Sequence, residues 1–135
     1  MLPLGHIATA LVASDLVKGD SIAAAVSSQI PDLIDKPLAW VFRSTDSSRF
    51  LAHTAVAAMT SGALASLAGP RIMRGTIAGH ASHLVADQLF GGKVPILWPL
   101  KRYALGHKRF RLRLRPFVVE LLAAGYLYRR WSRGR

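Results

Sequence analysis

Apolar positions along this chain fall into long blocks separated by short, sharp breaks, and that pattern predicts helices. Gly5 to Val17 reads as a first helix, ended by Lys18-Gly19, a basic residue followed by a glycine suited to a helix C-terminus. Asp20 or Ser21 caps a second helix that runs through Ile30. Pro31 opens a loop, PDLIDKP, and Pro37 suits the first turn of a short helix, PLAWVF. RSTDSSR is a polar loop. Residues 49–68 predict a long apolar helix stopped by Gly69-Pro70, and residues 71–90 another stopped by Gly91-Gly92. GGKVPILWPLKRYALGHKRFRLRLR, with Pro95 and Pro99, reads as irregular, and Pro116 opens a last helix, FVVELLAAGYLYRRW. Neither an internal repeat nor a low-complexity linker interrupts the series. The expectation is an all-α fold, a compact bundle of about five to six helices.

Is the bundle embedded in a membrane? LAHTAVAAMTSGALASLAG, starting at Leu51, has 19 residues and no Lys, Arg, Asp or Glu. A span needs about 20 apolar residues. Its Ala, Gly and Ser suit close helix approach in lipid. The first helix is short for a span. The last, twelve residues from Phe117 to Tyr128 with Glu120 inside, reads as interfacial or docked. A bundle embedded in or associated with a membrane is expected, and a soluble Ala-rich bundle is the alternative. MLPLGHIATALVASDLV has no basic leading region and contains Gly5, His6 and Asp15, so it does not read as a signal peptide.

At 135 residues the chain is long enough for one domain with one core. Residues 1–100 form its helical metal-site part, and residues 101–135 add a basic loop and the C-terminal helix to the same domain. The sequence has no Cys, which excludes disulfides and thiolate zinc sites and leaves His, Asp and Glu as ligands. The net charge of +11 is uneven: residues 101–135 hold eleven of the 18 Lys and Arg but only one acid, Glu120. Such a tail meets phosphate, in nucleic acid or in lipid headgroups. KRYALGHKRFRLRLR alternates Arg with Phe and Leu, giving one basic and one apolar edge. Beside an apolar bundle it suits the cytoplasmic side of the cell membrane, with membrane lipid as the partner. Nucleic-acid binding is the rival on charge alone, but no nucleic-acid-binding module is present.

The chemistry concentrates in GHASHLVAD, residues 79–87. His80, His83 and Asp87 stand at i, i+3 and i+7, on one face of an otherwise apolar helix. Two imidazoles and a carboxylate converging from one helix suit a divalent metal. The alternative is a hydrogen-bonded polar seam between helices. Metal-type residues also occur at His6, at Asp32 and Asp35 in the PDLID turn, and at His53. Taken singly, His6 reads as a capping or packing residue, Asp32 as a cap or turn residue, and His53 as a satisfied core histidine. Together they would leave many titratable groups in an apolar bundle, which is costly unless they are paired or coordinated. A shared metal centre removes that cost for all of them.

GHIATA near the start, PDLIDKP, a basic residue before AHT, and GHASHLVADQLFGGKVPILWPL resemble the family of small membrane-bound, metal-dependent hydrolases, the archaeal members most closely. The resemblance covers nearly all of residues 1–100. It implies His6, Asp32, His53, His83 and Asp87 as the central set, with Asp35 and His80 as further ligands or supporting groups. That family in turn is similar to the zinc-dependent phospholipase C and nuclease fold, all-α with His and Asp ligands, whose HxxxD motif His83 and Asp87 match. Two departures stand out. Ser48-Arg49-Phe50 replaces a His-Arg-Gly common in bacterial members, and only His107 and Glu120 follow where the phospholipase fold has a HxxxE pair. One or two metals are therefore expected, not three.

The resemblance implies hydrolysis of a phosphoester, lipid-linked substrates included, with zinc as the cofactor. In that reading Asp32 is a ligand or the general base, Arg49 stabilises a phosphoryl oxygen, and His80 orients a ligand through its second ring nitrogen. For Arg49 an exposed loop charge is the plainer alternative. A metal-stabilised membrane protein without catalysis, and a small basic nucleic-acid-binding protein, complete the set of readings.

Overall fold

The computed structural model describes residues 3–44, 47–91, 94–100 and 116–133. Six α-helices appear among them: α1 (Pro3–Leu16), α2 (Ser21–Ser27), α3 (Ile30–Trp40), α4 (Ala55–Ser66), α5 (Pro70–Ala86) and α6 (Pro116–Arg133), with a π-helical turn, Asp87–Gly91, continuing α5. The fold is all-α. The basic stretch 101–115, His107 within it, lies outside the described residues.

Local capping works as the sequence suggests at two of the breaks. Asp20 caps α2 by accepting the Ala23 N–H at 2.9 Å. The Gly69-Pro70 break turns α4 into α5, with Pro70 in the first turn of α5. At the end of α1 the left-handed residue is Lys18 (φ 52°), while Gly19 donates its N–H to the Ser14 carbonyl at 2.8 Å. Gly19 is needed there for a different reason: a side chain would run into the backbone of Gly75.

Three expectations are corrected. PDLIDKP is not a loop; it is the body of α3, with Pro31 in the first turn and Pro37 inside the helix. Proline weakens a helix interior, but Asp32 and Lys36 bond across one turn at 2.5 Å, and Asp35 is anchored by tertiary bonds described below. The long helix expected from residue 49 starts only at Ala55, where Thr54 caps it by accepting the Ala57 N–H at 3.0 Å. Residues 48–54 are bent, because their backbone N–H groups bond to Asp35 instead of to helix carbonyls. Finally, α6 continues past Tyr128 to Arg133.

The late start of α4 also removes the candidate span. Its 12 residues rise about 18 Å, against a hydrocarbon core of about 30 Å. Among the described residues no helix is long and apolar enough to cross a membrane.

Helix α5 is the central element, packed on α1, α2 and α4, while α6 lies along α1. Contact between α5 and α2 is backbone-close. A Cβ at Gly75 would overlap the Asp20 carbonyl, and one at Gly79 would overlap the Ala24 carbonyl and Ser27 Oγ. The interior is unusual in composition. Its apolar members are small, chiefly Ala10, Ala24, Ala52 and Val94, and the largest fully buried side chains are His6, His53, His80 and His83. Leu16, Ile22, Leu33, Leu64 and Leu67 face outward instead. Polar inside and apolar outside inverts the usual distribution of a water-soluble bundle.

Candidate metal centre

The central groups come from four places in the fold. His6 sits in the first turns of α1, Asp32 and Asp35 on α3, Arg49 and His53 in the bent segment, and His80 and His83 on the C-terminal half of α5, with Asp87 where α5 passes into the π turn. Because α5 runs antiparallel to α1, the start of one meets the end of the other. The His6 and His83 rings stack with centroids 3.9 Å apart.

Two groups of possible ligands converge, His6–His83–Asp87 and Asp32–His53–His83, with donor atoms within 4.8 Å of one another. His83 belongs to both. His83 Nε2 lies 3.3 Å from His53 Nε2, 3.9 Å from Asp87 Oδ2 and 4.0 Å from Asp32 Oδ1. His53 Nε2 lies 3.5 Å from Asp87 Oδ2 and 3.8 Å from Asp32 Oδ1. The other Asp87 oxygen, Oδ1, is 3.5 Å from His6 Nε2. Donors placed tetrahedrally around zinc at about 2.05 Å stand about 3.3 Å apart, so these spacings are near those of a coordination shell.

The ring orientations carry more information than the distances. His83 Nδ1 faces the Ser28 carbonyl at 2.6 Å, and a carbonyl only accepts, so that nitrogen carries the hydrogen. His53 Nδ1 faces Asp35 Oδ2 at 2.7 Å, and a carboxylate likewise accepts. Both histidines therefore turn Nε2 away from these partners and toward the same small volume. This is the arrangement in which a hydrogen bond on one ring nitrogen orients the other toward a metal.

Asp35 and His80 lie outside the two groups. Asp35 Oδ2 accepts N–H bonds from Phe50 at 2.7 Å and His53 at 3.2 Å, and Oδ1 accepts one from Ala52 at 3.0 Å. Its carboxylate is consumed in folding residues 50–53 and orienting His53. His80 donates through Nε2 to the Ala52 carbonyl at 2.9 Å, so it braces the same segment from the α5 side. Neither supporting carbonyl, Ser28 nor Ala52, has a sequence signal, because any residue supplies a backbone oxygen.

Electrostatics follow burial and partners. Burial lowers the pKa of His6, His80 and His83, and for His83 the combined effect reaches about 4. Burial also works against charge on His53, but bonds to Asp35 and Asp87 outweigh it and raise its pKa. Desolvation would push Asp87 up, yet His53 and the Arg49 guanidinium hold its carboxyl well below the usual carboxylate range. Arg49 Nε donates to Asp87 Oδ2 at 2.5 Å. His6 Nδ1 is buried with no hydrogen-bond partner among the described residues.

The site is dry except at one mouth. The His6, His53, His83 and Asp87 side chains are at most 3% exposed, whereas Asp32 is 19% and Arg49 32% exposed. Those two flank the approach to the buried nitrogens. Imidazole nitrogens and carboxylate oxygens are the donors a borderline divalent ion takes, and such an ion would displace any proton held on His53, so the residues fit a metal by chemistry as well as by spacing. In comparisons with known proteins, the family model described as YdjM inner membrane protein matches residues 1–135. No curated protein and no solved structure matches the chain.

Proposed function

The chain belongs to the YdjM inner membrane protein family, and we propose that its buried His–Asp cluster holds a divalent metal, zinc, and hydrolyses a phosphoester at the membrane. One observation carries the reading. His53 and His83 point Nε2 at each other across 3.3 Å, with both side chains fully buried. Two ring nitrogens at that distance share either a proton or a cation. A divalent ion between them would use both as ligands, and Asp87 supplies the balancing negative charge.

His83 also sets the count. Its Nδ1 is committed to Ser28, so it has one nitrogen to give to either ligand group. A single ion held by His53, His83 and Asp87, with His6 or Asp32 completing the shell, uses that nitrogen once. Bound zinc supplies Lewis acidity and activates water near neutral pH. The residues do the rest. Asp32, partly exposed at the mouth, would take a proton from an entering water. Arg49 would bind an anionic phosphoryl oxygen. Arg49 and Asp32 at an accessible mouth favour catalysis over a purely structural site, which would be closed. The basic tail would lie on the cytoplasmic side.

The test uses purified full-length protein, the His83→Ala and Asp87→Asn variants, and elemental analysis. About one zinc per chain is expected in the wild type and none in either variant. Hydrolysis of a phosphodiester probe should disappear on chelation and return with zinc. A wild type that takes up no metal, with variants of equal stability, overturns the metal centre. Stoichiometric zinc with no turnover on soluble or lipid phosphodiesters overturns the hydrolase reading and leaves a structural metal.

A further inference from the structure

The opposite end of the bundle has a different character. Lys18 at the end of α1, Arg71 and Arg74 at the start of α5, and Arg129, Arg130 and Arg133 at the end of α6 gather there. The acids at this end are already used. Asp15 accepts the Tyr126 hydroxyl at 2.6 Å and pairs with Arg130 at 2.5 Å, while Asp20 caps α2. Two hollows flank the Asp15–Arg130 pair. One, of about 310 Å³, is lined by Asp15, Lys18, Gly19, Ser21, Arg71 and Arg130, and the other, of about 210 Å³, by Tyr126 and the last arginines of α6.

Apolar and aromatic groups ring the same end. Leu16 is 74% exposed, Leu67 88%, Tyr128 70% and Trp131 56%. The Tyr128 and Trp131 rings lie 6.3 Å apart on the outer face of α6. Arginine and lysine interleaved with exposed Trp, Tyr and Leu is the composition that sits at a lipid headgroup boundary. We propose that this end of the bundle, formed by the ends of α1 and α6 and the start of α5, binds the phosphate headgroups of an anionic phospholipid leaflet. The occupant follows from complementarity: the excess of positive charge meets phosphate, and the exposed rings and leucines among it meet the boundary with the acyl chains. The surface is separate from the metal centre. Along α5, sixteen residues from Arg71 to Asp87 put the two about 24 Å apart.

Vesicle flotation of the full-length protein tests this, with phosphatidylcholine alone and with phosphatidylglycerol added, at low and high salt. Preferential binding to the anionic vesicles that weakens with salt is expected. Each basic group near an anionic leaflet is worth about fivefold in partitioning, so Lys18→Ala/Arg71→Ala should lose about 25-fold. Arg43→Ala, an exposed cation past α3 and outside the two hollows, should change binding by less than about twofold. Helix content and zinc content of the double variant should match the wild type, which separates this surface from the metal centre. Equal binding to both vesicle types, or a double variant no weaker than Arg43→Ala, overturns the proposal. Displacement from vesicles by inorganic phosphate at constant ionic strength also overturns it, because the site would then serve a soluble anion.

Discussion

His53 and His83 meet Nε2 to Nε2 at 3.3 Å, and each is fixed by a hydrogen bond on its far side. The fixing partners come from different elements: Asp35 on α3 for His53, and the Ser28 carbonyl just past α2 for His83. The distance between the two nitrogens is therefore set by how α2, α3 and α5 pack, not by either histidine alone. Disturbing that packing should disturb metal binding even where no ligand is touched.

Asp35 is the first place to look. It takes three backbone N–H groups and one imidazole N–H, all buried but the bond from Phe50, which is partly so. Asp35→Ala leaves these donors unsatisfied and should cost about 3–5 kcal/mol, seen as a large drop in thermal unfolding temperature by circular dichroism. Asp32→Ala removes a partly exposed pair with Lys36 and should cost less than about 1 kcal/mol. Equal losses in the two variants would mean that Asp35 does not organise residues 50–53.

Glycine substitutions separate packing from ligand loss. At Gly79 an added Cβ meets the Ala24 carbonyl and Ser27 Oγ, beside the Ser28 carbonyl that orients His83. At Gly62 it meets only the Ile77 side chain, which can rotate. Gly79→Ala should destabilise by about 1–3 kcal/mol and weaken zinc affinity, as overpacking against backbone forces a shift. Gly62→Ala should leave zinc affinity unchanged. Competition against a chromogenic chelator gives both affinities, and a wild-type value for Gly79→Ala would refute the link.

These relationships explain which parts of the site were legible in the sequence. The α5 face was, because helical spacing alone puts His83 and Asp87 together, and so were the α2 start and the Gly69-Pro70 corner, which are local signals. The non-helical path of residues 48–54 was not, since it depends on a carboxylate some fifteen residues earlier in the chain bonding to Phe50. The division of labour among the acids and histidines was hidden for the same reason. Asp32 and Asp35 look equivalent in PDLID, yet three residues of helix turn one toward the mouth and the other beneath His53. His80 and His83 look equivalent in GHASH, yet one braces Ala52 and the other faces the cluster.

Arg49 allows a two-sided prediction. Its guanidinium bonds to the same Asp87 oxygen that faces His53 and His83, so it competes with a cation for that carboxylate. Arg49→Ala should tighten zinc binding by roughly tenfold, the effect of removing about 1–1.5 kcal/mol of charge repulsion near a protein surface. The same change should lower phosphodiester turnover, because the cation beside the mouth is gone. Isothermal titration with zinc and a turnover assay read the two arms. Weaker zinc binding would show that Arg49 supports the ligands instead of competing with the ion.

The far end of the molecule offers a pH prediction. The Tyr126 hydroxyl donates to Asp15, a bond the phenolate cannot make, and that raises its pKa above the ordinary tyrosine value of 10.0. A group whose pKa is raised on folding contributes stability that is complete below its unfolded value and lost as pH climbs through the folded one. The α1–α6 contact at Asp15 should therefore hold through neutral pH and loosen only in strong alkali. Phenolate absorbance, taken as wild type minus Tyr126→Phe, should titrate above the ordinary tyrosine range, and Asp15→Ala should bring it back down. An unmoved titration would mean that Asp15 is not held by Tyr126. The Asp15–Arg130 ion pair would then be the contact that ties α6 to the end of α1.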